Sequence, residues 1–276
     1  VIRVLLVTKG HPFARDAFFA VFDANPEISW THVEHPAAPR LLAPANADLY
    51  DVVVAYDMPG IHFLRGEVPV AFEPPDTATT EGLHHLLEAG THGFVMLHHA
   101  IAGWPAWPEY AEIVGGRFHY QPAELRGTRF ADSGYRHGVT HTVTVLDPTH
   151  PVTAELPASF AITDEVYCCP VFEDDVEPLL RSDLVTASDQ FFSADLAIRG
   201  TRSSNEGWTH PPASSLVGWA KHAGQSPLVY LQFGDGPDTY ADANYRTVVA
   251  GAIRWAASPA ARDWARERRA RRGSFA

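Results

Sequence analysis

Cysteine is almost missing from this chain: among 276 residues there are two, Cys168 and Cys169, and they are neighbours. Adjacent thiols cannot close a stabilising loop, so a disulfide-stapled secreted scaffold is excluded and a reducing compartment fits better. Positive charge is also scarce, with 21 Lys and Arg against 33 Asp and Glu and a formal net charge of −12. A phosphate backbone meets repulsion over most of such a surface, and nucleic acid is not an expected partner. No apolar run approaches the roughly 20 residues of a membrane helix, so no membrane partner is expected either. The opening run, residues 1–7, carries Arg3 and passes straight into Thr8-Lys9-Gly10, a turn in place of a signal-peptide cleavage region. A cytoplasmic location is the expectation.

Several catalytic signatures are lacking. Gly10 stands alone in Thr8-Lys9-Gly10-His11, without the glycine spacing that lets a backbone approach a dinucleotide, so no nucleotide cofactor is expected. There is no Gly-x-Ser-x-Gly elbow, the local signal of a serine hydrolase. In His137-Gly138-Val139-Thr140-His141 a glycine occupies the place where a zinc protease needs glutamate. The cysteines lie where no strand-to-helix elbow is suggested and read as buried small hydrophobes.

A 46% hydrophobic content can fill a large core. Val4-Leu5-Leu6-Val7, Val52-Val53-Val54-Ala55-Tyr56, Gly93-Phe94-Val95-Met96-Leu97 and Leu228-Val229-Tyr230-Leu231 read as strands covered on both faces. Between them Ala14, Ala17, Phe18, Val21 and Phe22 form one helical stripe, Leu83, Leu86 and Leu87 another before Gly90, and Val248, Val249, Ala252, Ile253 and Ala256 a third. Alternating strands and helices predict an α/β fold with a doubly wound, mainly parallel sheet in one domain, residues 1–258. Residues 115–145 interrupt the alternation and predict an inserted β-rich segment over the sheet edge. Residues 183–212 read as a loop that can serve as a lid. Residues 259–276 are a basic tail or helix, with six arginines and Trp264 between 259 and 272, expected to be solvated and loosely held.

The chain holds 15 histidines, several just after predicted strands, where open parallel sheets place their ligand crevice. His98 and His99 end one strand; their side chains point to opposite faces, so one faces the crevice and the other is structural. His137 and His141, four apart, share a face in a helix or a strand and can chelate a divalent metal or flank one substrate. A structural role for this pair stays open. Asp164 and Glu165 can orient an imidazole or complete a nitrogen-and-oxygen metal shell, although adjacent carboxylates are more often solvated. His11 and Asp57 also end strands, and His210 in the Pro-rich loop can close over them. Trp104 and Trp107 sit in a proline-held turn, and such flat rings suit the C–H faces of a sugar.

These residues carry a resemblance to a known family. Val4-Leu5-Leu6-Val7-Thr8-Lys9-Gly10-His11, Tyr56-Asp57-Met58-Pro59-Gly60, Leu97-His98-His99-Ala100-Ile101-Ala102-Gly103-Trp104, Gly115-Gly116-Arg117-Phe118, His150-Pro151-Val152-Thr153 and Asp164-Glu165-Val166-Tyr167 resemble the ThuA-like (trehalose utilisation) family. That family has the class I glutamine amidotransferase-like superfold, flavodoxin-like in its layering. The resemblance implies that His98 stands where true amidotransferases carry cysteine, which puts thiolate hydrolysis of glutamine in doubt. It also implies family roles for His137, Asp164, Glu165 and Tyr167, and a substrate among 3-keto glycosides or disaccharides. The expected site has His98, His137 and Glu165 as catalytic groups. His11, Asp57, His99, Trp104, Trp107, Tyr167 and His210 surround the sugar. A divalent metal such as Zn or Mn is expected on His98, His137, His141 and Asp164. Lyase or hydrolase action, keto-sugar isomerisation, and non-catalytic sugar binding all remain open, as does assembly into a homo-oligomer.

Overall fold

The computed structural model describes residues 1–64 and 69–272. Its main strands are Ile2–Lys9 (β1), Ile28–Glu34 (β2), Val52–Asp57 (β3), Gly93–Leu97 (β4), Gly134–Val145 (β5), Ser159–Cys168 (β6), Glu177–Ser182 (β7), Leu216–Ala223 (β8) and Ser226–Leu231 (β9). They lie in the order β6-β5-β7-β8-β9-β4-β3-β1-β2. The centre, β2 through β9, is parallel, as the continuous apolar runs predict. Strands β8, β7, β5 and β6 extend it as an antiparallel wing, of which only β5 falls within the β-rich segment expected at residues 115–145. That wing continues the sheet in its own plane, where the sequence led us to expect a layer over the edge. The reason is that β5 alternates buried and exposed residues from Thr140 onward, as a half-covered strand paired on both sides should.

Helices cover both faces. Arg15–Asp23 (α1) and Ala243–Ala256 (α4) pack Phe18, Phe22, Val248 and Ile253 against Val4, Leu6, Val54 and Val95. Thr77–Ala89, here α2, and Pro108–Val114, α3, place Leu86, Leu87 and Val114 with Leu5, Val53, Phe94 and Met96 on the other face. Successive strand residues thus feed opposite cores, which is the period-two rule of a doubly covered sheet. The helix α2 starts at an Asp76 cap that accepts from Thr79 N and ends at left-handed Gly90, φ 62°. Gly93 permits close packing: a Cβ there would meet Ala256 O at 2.2 Å.

The C-terminal stretch is a docked helix, Pro259–Arg272 (α5), and corrects the expectation of a loosely held tail. Ala261 and Ala265 are fully buried, and Trp264 meets Trp255 at 5.2 Å. Their spacing forms an apolar stripe, while Arg268 and Arg269 pair with Glu177 and Glu88. The remaining residues, 273–276, lie outside the described residues. Among the described residues no helix is long and apolar enough to cross a membrane.

Strand order reverses between β1 and β3, so their carboxyl ends, with that of β4, open into the crevice expected of such sheets. The site is built there.

Candidate functional site

His98 follows β4 at a tight turn into a 3-10 helix, His98–Ala102, with its backbone in the left-handed region at φ 49°. A non-glycine residue held there is strained by about 1–3 kcal/mol, and the surroundings must enforce it. They do: Tyr230 donates to the His98 carbonyl at 2.9 Å, and His98 Nδ1 lies 2.7 Å from the Gln232 carbonyl, to which its N–H donates. The Gln232 side chain also accepts from Tyr167 N at 3.1 Å, so one residue ties β6 to the turn. With Nδ1 engaged, Nε2 faces Tyr167 Oη at 2.9 Å, Glu165 Oε2 at 3.1 Å and Asp235 Oδ1 at 3.6 Å.

His137 completes the group from the opposite side. Its Nδ1 is 3.2 Å from Glu165 Oε1 and 3.6 Å from Asp235 Oδ2, so both carboxylates lie between two imidazoles. A bulge brings this about. The register between β5 and β6 shifts at Asp164/Val166, opposite Gly138 with φ +63°, and the alternation from His137 to His141 is broken there. His141 therefore stands beside Phe233, bonded to Ser182 Oγ at 2.8 Å, and does not join His137 at one metal.

A cavity of about 640 Å³ opens above Glu165 and is lined by His11, His99, His137, Glu165 and Tyr167, all expected site residues, with Tyr120, Tyr135 and Arg202. Residues 183–212 contribute Ala194, Ala197 and Arg202 to its wall, and they contain a short helix, Ala194–Ile198, where only loop was expected. His98 itself is fully enclosed beneath and does not line the cavity; Glu165 and Tyr167 lie between it and the opening. His11 and His99 stack with centroids 4.9 Å apart, and among the described residues neither ring nitrogen of buried His99 has a hydrogen-bond partner.

The charges in the cluster separate sharply. Burial alone would lower the His98 pKa, but the bonds to Asp235 and Glu165 outweigh it and carry it up to about 10. The bond to Asp235 likewise raises His137. Burial would raise Asp235, yet His137 and His98 hold it well below the usual carboxylate range. His11 and His99 go the other way: burial, reinforced by the neighbouring His98, lowers both.

Five further expected residues lie outside the cavity wall. Asp57 pairs with His35 at 2.8 Å, and with Trp104 they line a separate small apolar cavity against α2. Trp107 packs near His84, 5.7 Å between ring centroids, because proline-led α3 turns it toward that helix. His210 lies behind the antiparallel wing, with Nδ1 2.6 Å from the Pro211 carbonyl and 3.4 Å from Cys168 Sγ. Asp164, expected as a metal ligand, spends its oxygens on Gly234 N at 2.7 Å and Asp235 N at 3.1 Å. It orients the residue that sequence reasoning missed, Asp235. The available signal was Phe233-Gly234-Asp235-Gly236, a carboxylate between glycines just past β9. Cys168 and Cys169 are buried, and burial pushes the Cys168 thiol up to about 12, so neither offers a thiolate nucleophile.

Comparison with solved structures supports the fold. The chain resembles a ThuA-like protein of Parabacteroides merdae with a TM-score of 0.63 at 15% identity, covering 93% of this chain and 90% of that one. A ThuA-like protein of Bacteroides uniformis gives 0.61 at 18% identity, over 92% and 91%. PurLQS of Thermotoga maritima gives 0.51 at 11% identity, over 92% and 98%, and the fold is class I glutamine amidotransferase-like. No curated protein matches significantly. The sequence matches the family described as trehalose utilisation from residue 3 to 256, which supports a carbohydrate-related role. With the match spanning nearly its whole length, the chain belongs to the ThuA family.

Proposed function

We propose that the protein is an acid–base enzyme acting on a 3-keto glycoside or 3-keto disaccharide and releasing the aglycone by elimination. The observation that carries this reading is Glu165 on the cavity floor, held between His98 at 3.1 Å and His137 at 3.2 Å. A ketone at C3 acidifies the C2 hydrogen, because the resulting carbanion is delocalised onto the carbonyl oxygen. Glu165 is placed to take that proton, and positive charge beside it stabilises the enolate. When the enolate collapses, the C1–O bond breaks, a C1–C2 double bond forms, and the aglycone oxygen gains a proton. His137, half-exposed at the cavity, is the donor for that proton. Addition of water at C1 then completes net hydrolysis. His11, His99 and Tyr167 line the cavity and supply polar contacts for sugar hydroxyls, and His98 and Asp164 act as positioning residues.

The test is incubation of the purified chain with 3-keto-trehalose, with products identified by NMR. Release of glucose together with an enone or its hydrate supports elimination. Migration of the keto group with the glycosidic bond intact replaces it with isomerisation. Unchanged substrate together with ligand-dependent thermal stabilisation identifies a binding protein and removes the enzymatic reading.

A further inference from the structure

Three oxygens compete for one ring nitrogen. Tyr167 Oη, Glu165 Oε2 and Asp235 Oδ1 lie 2.9, 3.1 and 3.6 Å from His98 Nε2, and a single N–H cannot serve all three. A metal ion can. His98, Glu165 and Asp235 each offer one ligand atom, and these atoms all fall within 4.8 Å of one another. Donors about 2.1 Å from a shared zinc-like ion sit about 3.4 Å apart in a tetrahedron. The His98 separations of 3.1 and 3.6 Å bracket that value.

The surroundings are those of a ligand set. A metal-binding histidine characteristically donates its second N–H to a carbonyl or carboxylate, which fixes the tautomer and aims the free nitrogen. His98 does this through the Gln232 carbonyl at 2.7 Å. Asp164 holds Gly234 N and Asp235 N and so fixes the approach of Asp235. Glu165 is 5% exposed, and its carboxylate and that of Asp235 converge on His98 Nε2 as a mixed nitrogen and oxygen donor set of the kind a transition-metal ion takes. On the open side stand His137, half-exposed and 3.2 Å from Glu165, and His99, buried with neither ring nitrogen hydrogen-bonded among the described residues.

We infer that His98 Nε2, Glu165 and Asp235 form a binding site for one divalent transition-metal ion, with His137 bracing both carboxylates from the cavity side and a coordination position open to the cavity. Mixed imidazole and carboxylate donors suit Zn²⁺ or Mn²⁺; Mg²⁺ and Ca²⁺ prefer shells made of oxygen alone. This goes beyond the proposed reaction, because binding is required whether or not the cavity turns over a keto sugar. When bound, such an ion supplies a Lewis acid for an oxygen entering from the cavity.

The experiment is calorimetric titration of the chelator-stripped full-length protein with ZnCl₂, MnCl₂ and MgCl₂ in the absence of sugar, with Co²⁺ absorption as a second readout. One equivalent of Zn²⁺ or Mn²⁺ is expected to bind, and Co²⁺ to show ligand-field bands of a four- or five-coordinate site. Asp235→Asn and Glu165→Gln should each weaken binding by about 100-fold, half-exposed His137→Gln by about tenfold, and His210→Gln should leave it unchanged. With 15 histidines present, weak binding elsewhere is separated by these variants. Circular dichroism confirms that each variant is folded; His137→Gln, altered near the surface, keeps the test decisive if a buried variant fails. Failure to bind Zn²⁺ or Mn²⁺, affinity unmoved in His137→Gln and in every folded core variant, or preference for Mg²⁺ overturns the assignment. Metal binding without turnover of 3-keto-trehalose leaves this inference standing and removes the proposed reaction.

Discussion

At the scale of single residues, the site depends on which groups touch the cavity and which hold those groups in place. Glu165 does the first and Asp164 the second, although they are neighbours in sequence. Replacing Glu165 with Gln keeps its shape and removes its basicity, so kcat for 3-keto-trehalose should fall by about 10²–10⁴-fold with little change in melting temperature. Asp164→Asn weakens the two backbone bonds that set Asp235. Its expected signature is a smaller fall in kcat, accompanied by weaker metal binding, as measured by steady-state kinetics and calorimetry; an unchanged metal affinity would show that Asp235 needs no such brace. The sequence exposed His98, which closes an apolar strand, and Glu165, which stands in a recognisable segment although it falls inside β6 at the bulge. It hid Asp235, whose side-chain carboxylate meets His98 and His137 only through the tertiary fold, and it misassigned Trp104 and Trp107, whose turn points them into the α2 side of the sheet.

At the scale of elements, two packing contacts decide how far the chain tolerates change. Gly93 on β4 lies against the end of α4, and a methyl group would overlap Ala256 O at 2.2 Å. Gly93→Ala should therefore push α4 off the sheet and destabilise the protein by about 1–3 kcal/mol or more in urea denaturation. The second contact is α5. Ala265 is fully buried beneath it, and Ala265→Asp places an unpaired carboxylate in that seam. The helix should detach, and limited proteolysis near residue 258 should accelerate; protection equal to wild type would argue that α5 is not held by this stripe. The individual helices were legible because a 3.6-residue stripe is a local property. Docking of α5 was not, since six arginines in a short stretch mask the Ala261, Trp264, Ala265 stripe.

For the whole molecule, buried neutral histidines set an acid limit on stability. Burial lowers His119 and His150 to about 4. In the unfolded chain they titrate near their ordinary value of about 6.5, so below that pH the unfolded state binds more protons than the folded one. Their contribution is complete above about pH 6.5 and is lost as pH falls toward 4. For His119, which is 7% exposed, the loss is up to about 3 kcal/mol. The melting temperature should drop across that window. His119→Phe, which retains the stack on Phe130 and removes the titration, should flatten the drop; an equally steep fall in the variant would exclude His119 as its source.

The sequence by itself determined the covered parallel strands, the amphipathic helices, the absence of a usable thiol, and the placement of His11, His98 and His99 at the carboxyl ends of strands. Each follows from a local pattern: period two, period 3.6, or a polar residue closing an apolar run. Tertiary structure decided the rest. The bulge at Gly138 separates His137 from His141, the β9 turn delivers Asp235, and the antiparallel wing carries Glu165 across to His98. Those outcomes depend on register and long-range hydrogen bonds, and a one-residue shift in pairing reverses which face a side chain occupies without changing any local pattern.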